Sequence, residues 1–311
     1  MNIEQKKALI NDDGELNLQV LLQALWNRKF LIVSLTSIAA IVSVLYSLSL
    51  PNIYRSEALI APAEGKSQGI SSSLGGLSGL AGMAGFSLPG TNDAKKQEAL
   101  AILNSYQFTK NFITKHDLTV LVMASKGWDN KSNQMIINDK LYDIENKIWL
   151  KKEGKSLEPS IQETVRAFKE IVASSIDKRT GYVSIHADTY SPSVSKNIVE
   201  WLIDDINKYI MKVDVQRAEN SLNYLNSQIN ETAIPELKEV IAQLIKTEQQ
   251  TIMLSQSSPD YVFKVIDAPI APELKFEPKS AIICIVGTIT GFIITLLIVL
   301  ILIFRQETQK N

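Results

Sequence analysis

Two stretches of the chain are apolar on every face. Phe30 to Leu50 runs 21 residues without a charge (FLIVSLTSIAAIVSVLYSLSL), and Ala281 to Phe304 runs 24 more (AIICIVGTITGFIITLLIVLILIF). A bilayer core takes about 20 apolar residues at a rise of about 1.5 Å each. A helix that is greasy all round has no side to offer water. Each stretch therefore predicts a transmembrane helix. The first begins well inside the chain, at Phe30, and its apolar run is too long for a cleavable signal. Two spans place residues 1–29 and 305–311 on one side of the membrane and everything from Pro51 to Ser280 on the other. Ahead of the first span, Leu18, Leu21, Leu22 and Leu25 share one side of a short helical pattern that ends in Trp26, Arg28 and Lys29, which suits an interfacial helix.

The central segment changes period several times. Tyr54–Ala61 (YRSEALIA) reads as a strand, and a Gly/Ser/Leu tract over 65–90 reads as a loop. Asp93–His116 predicts one helix, with Leu100, Leu103, Phe108 and Phe112 as its stripe. An irregular stretch holding Trp128 and Trp149 leads to a short helix marked by Ile161, Val165, Phe168, Ile171 and Val172. Ser175–Asp188 predicts a strand or hairpin bent at Gly181, with Val183, Ile185 and Ala187 alternating. Ser191-Pro192 is a strong helix start. From there Val194, Ile198, Leu202, Ile206, Ile210 and Val213, then Ala218, Leu222, Leu225 and Ile229, follow at helical spacing. No Gly or Pro interrupts before Pro235, which must kink or end the helix. A second helix resumes from Leu237 through Ile252, and Tyr261–Asp267 (YVFKVID) is a last strand. The fold class expected is α+β: two spans flanking a domain with a membrane-proximal sheet and long extended helices. A rod one or two helices wide cannot bury its apolar stripe alone, so copies of the chain are expected to pack side by side.

Composition narrows the chemistry. With 32 Lys+Arg against 33 Asp+Glu, the net charge of -1 gives no case for nucleic-acid binding. One cysteine, Cys284, excludes an internal disulfide framework, and the two histidines, His116 and His186, lie far apart in sequence. Gly65-Lys66-Ser67 and Gly154-Lys155-Ser156 resemble the end of a phosphate loop, but Ile60 and Trp149 stand where the leading glycine is needed. Asp204-Asp205 point about 100° apart on a helix and read as a solvated face. No catalytic, cofactor or metal site is expected, and an enzyme or a two-span receptor is disfavoured. Interaction residues are the candidates instead. Gly287 and Gly291, with Ala39, Ser43 and Ser47, give small faces on the two spans that allow close helix approach. Leu222, Leu225 and Ile229 are candidates for helix–helix association, and Pro269, Pro272 and Pro278 for fixing how the domain meets the membrane.

The order of blocks resembles the Wzz chain-length determinants, the polysaccharide co-polymerases. The resemblance rests on ELNLQVLLQALWNRKFLIV and PNIYRSEALIAP at the front and SIDKRTGYVSIHADTYSPSVSKNIVEWLIDDIN with RAENSLNYLNSQI in the middle. At the back it rests on ELKEVIAQLIKTEQQTIML and YVFKVIDAPIAPELKFEPKSAII. It implies a bacterial inner-membrane protein with both tails cytoplasmic and the domain periplasmic, which the Arg28-Lys29 pair also favours. It further implies a ring-shaped homo-oligomer acting with a Wzy-type O-antigen polymerase on growing lipid-linked polysaccharide, in contact with membrane lipid, to set lipopolysaccharide O-antigen length. An adaptor role in capsule, exopolysaccharide or enterobacterial-type common antigen synthesis or export is the alternative. Only 305–311 follow the second span, so a fused tyrosine kinase is not expected; a separately encoded one stays open.

Overall fold

The structure, a computed structural model, describes residues 18–63, 92–129, 131–257 and 260–308. The glycine-rich tract over 65–90 and residues 1–17 lie outside these. The chain divides into two units: Met1–Asn52 with Phe276–Asn311, and Ile53–Lys275.

In chain order the helices are α1 (Leu18–Asn27), α2 (Lys29–Ser49), α3 (Asn92–Leu103), α4 (Tyr106–Lys115), α5 (Thr119–Ala124), α6 (Ile161–Ile171), α7 (Pro192–Glu231), α8 (Pro235–Ser257) and α9 (Ser280–Thr308). The first strand is β1 (Tyr54–Pro62). Between α5 and α6 lie three small hairpins, β2–β3 (Ser125–Asp129, Gln134–Ile137), β4–β5 (Tyr142–Asp143, Ile148–Trp149) and β6–β7 (Lys151–Lys152, Lys155–Ser156). The remaining strands are β8 (Val172–Ile176), β9 (Val183–Thr189) and β10 (Phe263–Asp267).

The main sheet is antiparallel, in the order β10-β1-β9-β8. Period-2 alternation sets its two faces. Tyr54, Ser56, Ala58 and Ile60 of β1 and Val183, Ile185 and Ala187 of β9 are buried. The aliphatic ones meet Ile198, Val199, Leu202 and Ile206 from the first half of α7, with Phe112, Phe168 and Phe263 completing the core. Each large apolar side chain removed from water contributes on the order of 1.5–3 kcal/mol. The other face carries Arg55 and its cross-strand partner Asp188, joined by a two-pronged ion pair at 2.6 and 2.5 Å.

Local chemistry explains most boundaries. The helix expected over Asp93–His116 is two helices, because Ser105 turns extended and its hydroxyl accepts from the Phe108 N–H, capping α4 afresh. Ser160 and Glu163 form a reciprocal capping box at α6. Gly181 makes the bend at φ +74, while Asp177 accepts the Arg179 N–H at 2.8 Å inside the same turn. Ser191 caps α7 and Pro192 opens it, and the helix then runs 40 residues, about 60 Å. It stops at Glu231, short of Pro235, which does not kink it. Pro235 starts α8 instead, where a missing N–H costs nothing. The irregular stretch is more ordered than its sequence suggested: Glu153 and Gly154 both take positive φ, the geometry of a two-residue hairpin turn. That turn accounts for Gly154-Lys155-Ser156 without any phosphate.

Candidate functional site

The candidate interaction residues lie mainly on two helix pairs, one in each unit. In the first unit, α2 and α9 are long and apolar enough to cross a membrane. They pack on each other through their smallest residues. A Cβ placed on Gly287 would strike the Ser43 side chain, whose Cβ would be 2.8 Å away, and one on Gly291 would strike the Ala39 Cβ. The backbones approach so closely that even a methyl group is excluded. Ser43 satisfies its hydroxyl on the Ala39 carbonyl at 2.8 Å, and Thr295 does the same on Gly291 at 2.7 Å. Ser47 and Thr295 are both buried. Beside the Ser43–Gly287 contact lies an open cleft of about 570 Å³ edged by Val42, Tyr46, Ile282 and Val286. At the other end, Leu25 of α1 and Ile32 pack on Val299 and Ile303. Trp26 is exposed, with the Lys29 ammonium 5.4 Å from its ring. That pairing of ring and cation suits a headgroup region.

In the second unit, α7 and α8 form a helical hairpin. The fully buried residues of α7 lie between Ser195 and Ala218. Beyond that point its companion is α8, and Ser221 donates to Glu248 across the pair at 2.9 Å. Leu222, Leu225 and Ile229 are half-buried along this stretch. They lie on the stretch of α7 that is paired with α8. An uncovered aliphatic stripe runs along α8, where Leu237, Val240 and Leu244 recur at helical spacing and stay 45%, 43% and 48% exposed. The expected association residues are on α7; the uncovered stripe is on its partner.

Polar side chains on the core face of α7 lock the hairpin to the sheet. Asn207 is buried and makes three bonds to the start of β10. Its Oδ1 accepts from the Val262 and Phe263 N–H groups, and its Nδ2 donates to the Phe263 carbonyl, all at 2.9 Å. Two turns further, buried Asp214 accepts from Lys95 at 3.0 Å, Arg217 at 3.2 Å and the Tyr261 hydroxyl at 2.8 Å. Burial works against the charge on Lys95, yet its bond to Asp214 prevails and its pKa stands above the usual 10.5. Burial also raises the Tyr261 phenol above 10.0. The adjacent acids near the middle of α7 part ways. Asp204 is exposed beside Lys208, as expected. Asp205 is not on a solvated face: it is buried, accepting from Lys115 at 2.5 Å and lying 2.9 Å from His116 Nε2. His116 in turn stacks on Trp201 at 4.5 Å.

Asn207 and Asp214 were missed in the sequence because they stand on the stripe where only apolar residues were counted. The signal was present: Asn207 and Asp214 each fall four places after a core isoleucine, Ile203 and Ile210. Their partners are structural groups, and among the described residues no cluster of three or more His, Cys, Asp or Glu could hold a metal. Pro269 and Pro278 are buried and Pro272 half-buried; Ser56 donates to the Ile270 carbonyl at 2.8 Å and pins the segment to β1.

Comparison with known proteins bears on this architecture. Residues 14–116 match the family model for Wzz, the chain length determinant protein. The Wzz match takes in α1, α2, β1, α3 and α4 and ends at His116. No curated protein matches the chain. Among solved structures, the chain is similar to a full-length bacterial polysaccharide co-polymerase. The identity is 14%, with 94% of this chain and 98% of that one covered at a TM-score of 0.40. It is also similar to a fragment of WzzB, the polysaccharide co-polymerase from Salmonella Typhimurium, at 10% identity over 73% and 100% of the two chains and a TM-score of 0.30.

Proposed function

We propose that this protein is a non-enzymatic regulator of polysaccharide chain length. In this reading it sets the modal length of lipopolysaccharide O-antigen, working beside a Wzy-type membrane polymerase on lipid-linked repeats. The observation that carries the reading is the Wzz family match over residues 14–116. It falls on a chain whose two apolar helices flank an α+β domain bearing a 40-residue helix. Such a chain offers surfaces for partners and growing glycan.

The same reading places α2 and α9 in the bacterial inner membrane, both tails in the cytoplasm and the domain in the periplasm. It also makes the protein a homo-oligomer, ring-shaped as the family resemblance implies; the Leu237, Val240 and Leu244 stripe, left half uncovered by the described residues of its own chain, supports self-association. Burying three half-exposed aliphatic side chains per subunit would contribute about 2–4 kcal/mol to each contact before ordering costs.

Deletion of the gene, followed by gel analysis of lipopolysaccharide, tests the proposal. The expected result is a ladder that loses its preferred length and regains it when the intact gene is restored. An unchanged ladder with a changed capsule, exopolysaccharide or common antigen would move the protein to those glycans. A strain with every glycan unaltered would refute length control.

A further inference from the structure

The segment after β10 is inside out. Pro269 and Pro278 are buried, while Ile270 is 71% and Leu274 84% exposed, and Val265 and Ile266 on β10 are open as well. Ile270 and Leu274, four places apart, are the two aliphatic side chains left most open in this segment.

The covalent chain limits what can cover it. Leu274 is six places before Ser280, the first residue of α9, so it lies at most about 20 Å from that helix start. Ile270 has a second tether. Its carbonyl accepts from Ser56, which follows the end of α2 at Ser49 by only seven places. Ile270 is thus held within about 25 Å of one apolar helix through β1 and about 35 Å of the other through the proline segment. Charge does not define the patch: Lys264, Lys275 and Lys279 balance Asp267, Glu273 and Glu277. What remains is a surface of no net charge, with exposed aliphatic side chains, strapped by two short chains to two apolar helices.

We propose that Ile270 and Leu274 enter the interface of the bilayer that α2 and α9 cross, so that the domain rests on lipid through this segment. The proposal rests on those helices being spans, and not on the glycan function. The Ser56 bond and buried Pro269 hold the backbone against the domain, and the two aliphatic side chains face the acyl boundary. Because the local charges cancel, the contact is insensitive to salt.

Spin labels on the full-length protein in phospholipid vesicles test this. On a Cys284→Ser background, single labels are placed at Ile270→Cys and Leu274→Cys. Ile293→Cys, exposed at mid-span of α9, marks lipid, and Glu231→Cys, at the far end of α7, marks water. Collisions with oxygen are compared with collisions with a water-soluble nickel chelate. The expected result is an excess of oxygen collisions at 270 and 274, as at 293, with the reverse at 231, and no change in high salt. A nickel excess at 270 and 274 with 293 still in lipid overturns the proposal and leaves the spans standing. A nickel excess at 293 overturns both. Shielding of 270 and 274 from both reagents also overturns it, in favour of a protein partner on this face.

Discussion

Replacing Asn207 by alanine should detach the start of β10. The amide satisfies three backbone groups of an edge strand: the N–H of Val262 and the N–H and C=O of Phe263. Val262 and Phe263 are both buried, so water cannot simply take over. A buried polar group left unpaired costs about 1–3 kcal/mol. Three of them, relieved in part by movement of an edge strand, give about 3–6 kcal/mol. At about 1.4 kcal/mol per factor of ten, opening of β10 becomes roughly 10² to 10⁴ times more frequent. Hydrogen exchange of the full-length protein in detergent reads this directly, with the peptide over 260–268 losing protection and that over 183–189 in β9 serving as internal control. Asn207→Asp should sit between the two, since it keeps an acceptor for both N–H groups but turns a carboxylate on the Phe263 carbonyl. Unchanged protection of 260–268 in the alanine variant would refute the claim that this one side chain anchors the strand.

Other perturbations follow from the same contacts. Gly287→Leu with Gly291→Leu should force α2 and α9 apart and lower the thermal midpoint of the solubilised protein; an unaltered midpoint and unaltered glycan length would count against tight packing there. Truncating Leu222, Leu225 or Ile229 to alanine should cost about 1–2 kcal/mol each, less than for fully buried residues, measured by denaturation. Lys95 and Tyr261 both have raised pKa values, so the stability they contribute is complete below about pH 10 and is lost as pH rises through their folded-state values. An alkaline titration should therefore show a fall in stability above about pH 10 that Asp214→Asn makes smaller.

Much of this architecture was legible from period and punctuation. The all-round apolar runs, the Ser191-Pro192 start and the alternation of Val183, Ile185 and Ala187 each follow from one physical rule and appear where those rules put them. The break at Ser105 was harder, because the stripe of Leu100, Leu103, Phe108 and Phe112 continues across it and only the capping hydroxyl reveals the stop. Asn207, Asp205 and Asp214 were invisible to a count of apolar positions. Their roles depend on partners far away in the chain, and spacing on one helix carries no information about such partners. The small faces of α2 and α9 were readable as faces, yet which neighbour each meets is set by a helix at the opposite end of the sequence.

The most direct measurement is the mass of the gently solubilised particle, taken for the intact chain and for a Leu237→Lys, Val240→Lys, Leu244→Lys variant. With bound detergent and lipid subtracted, the intact chain should give a polypeptide mass of two or more times 34.6 kDa, and the variant, with helical content preserved, smaller species. A lone polypeptide in the first case would contradict the view that copies of this protein cover one another's helical hairpins.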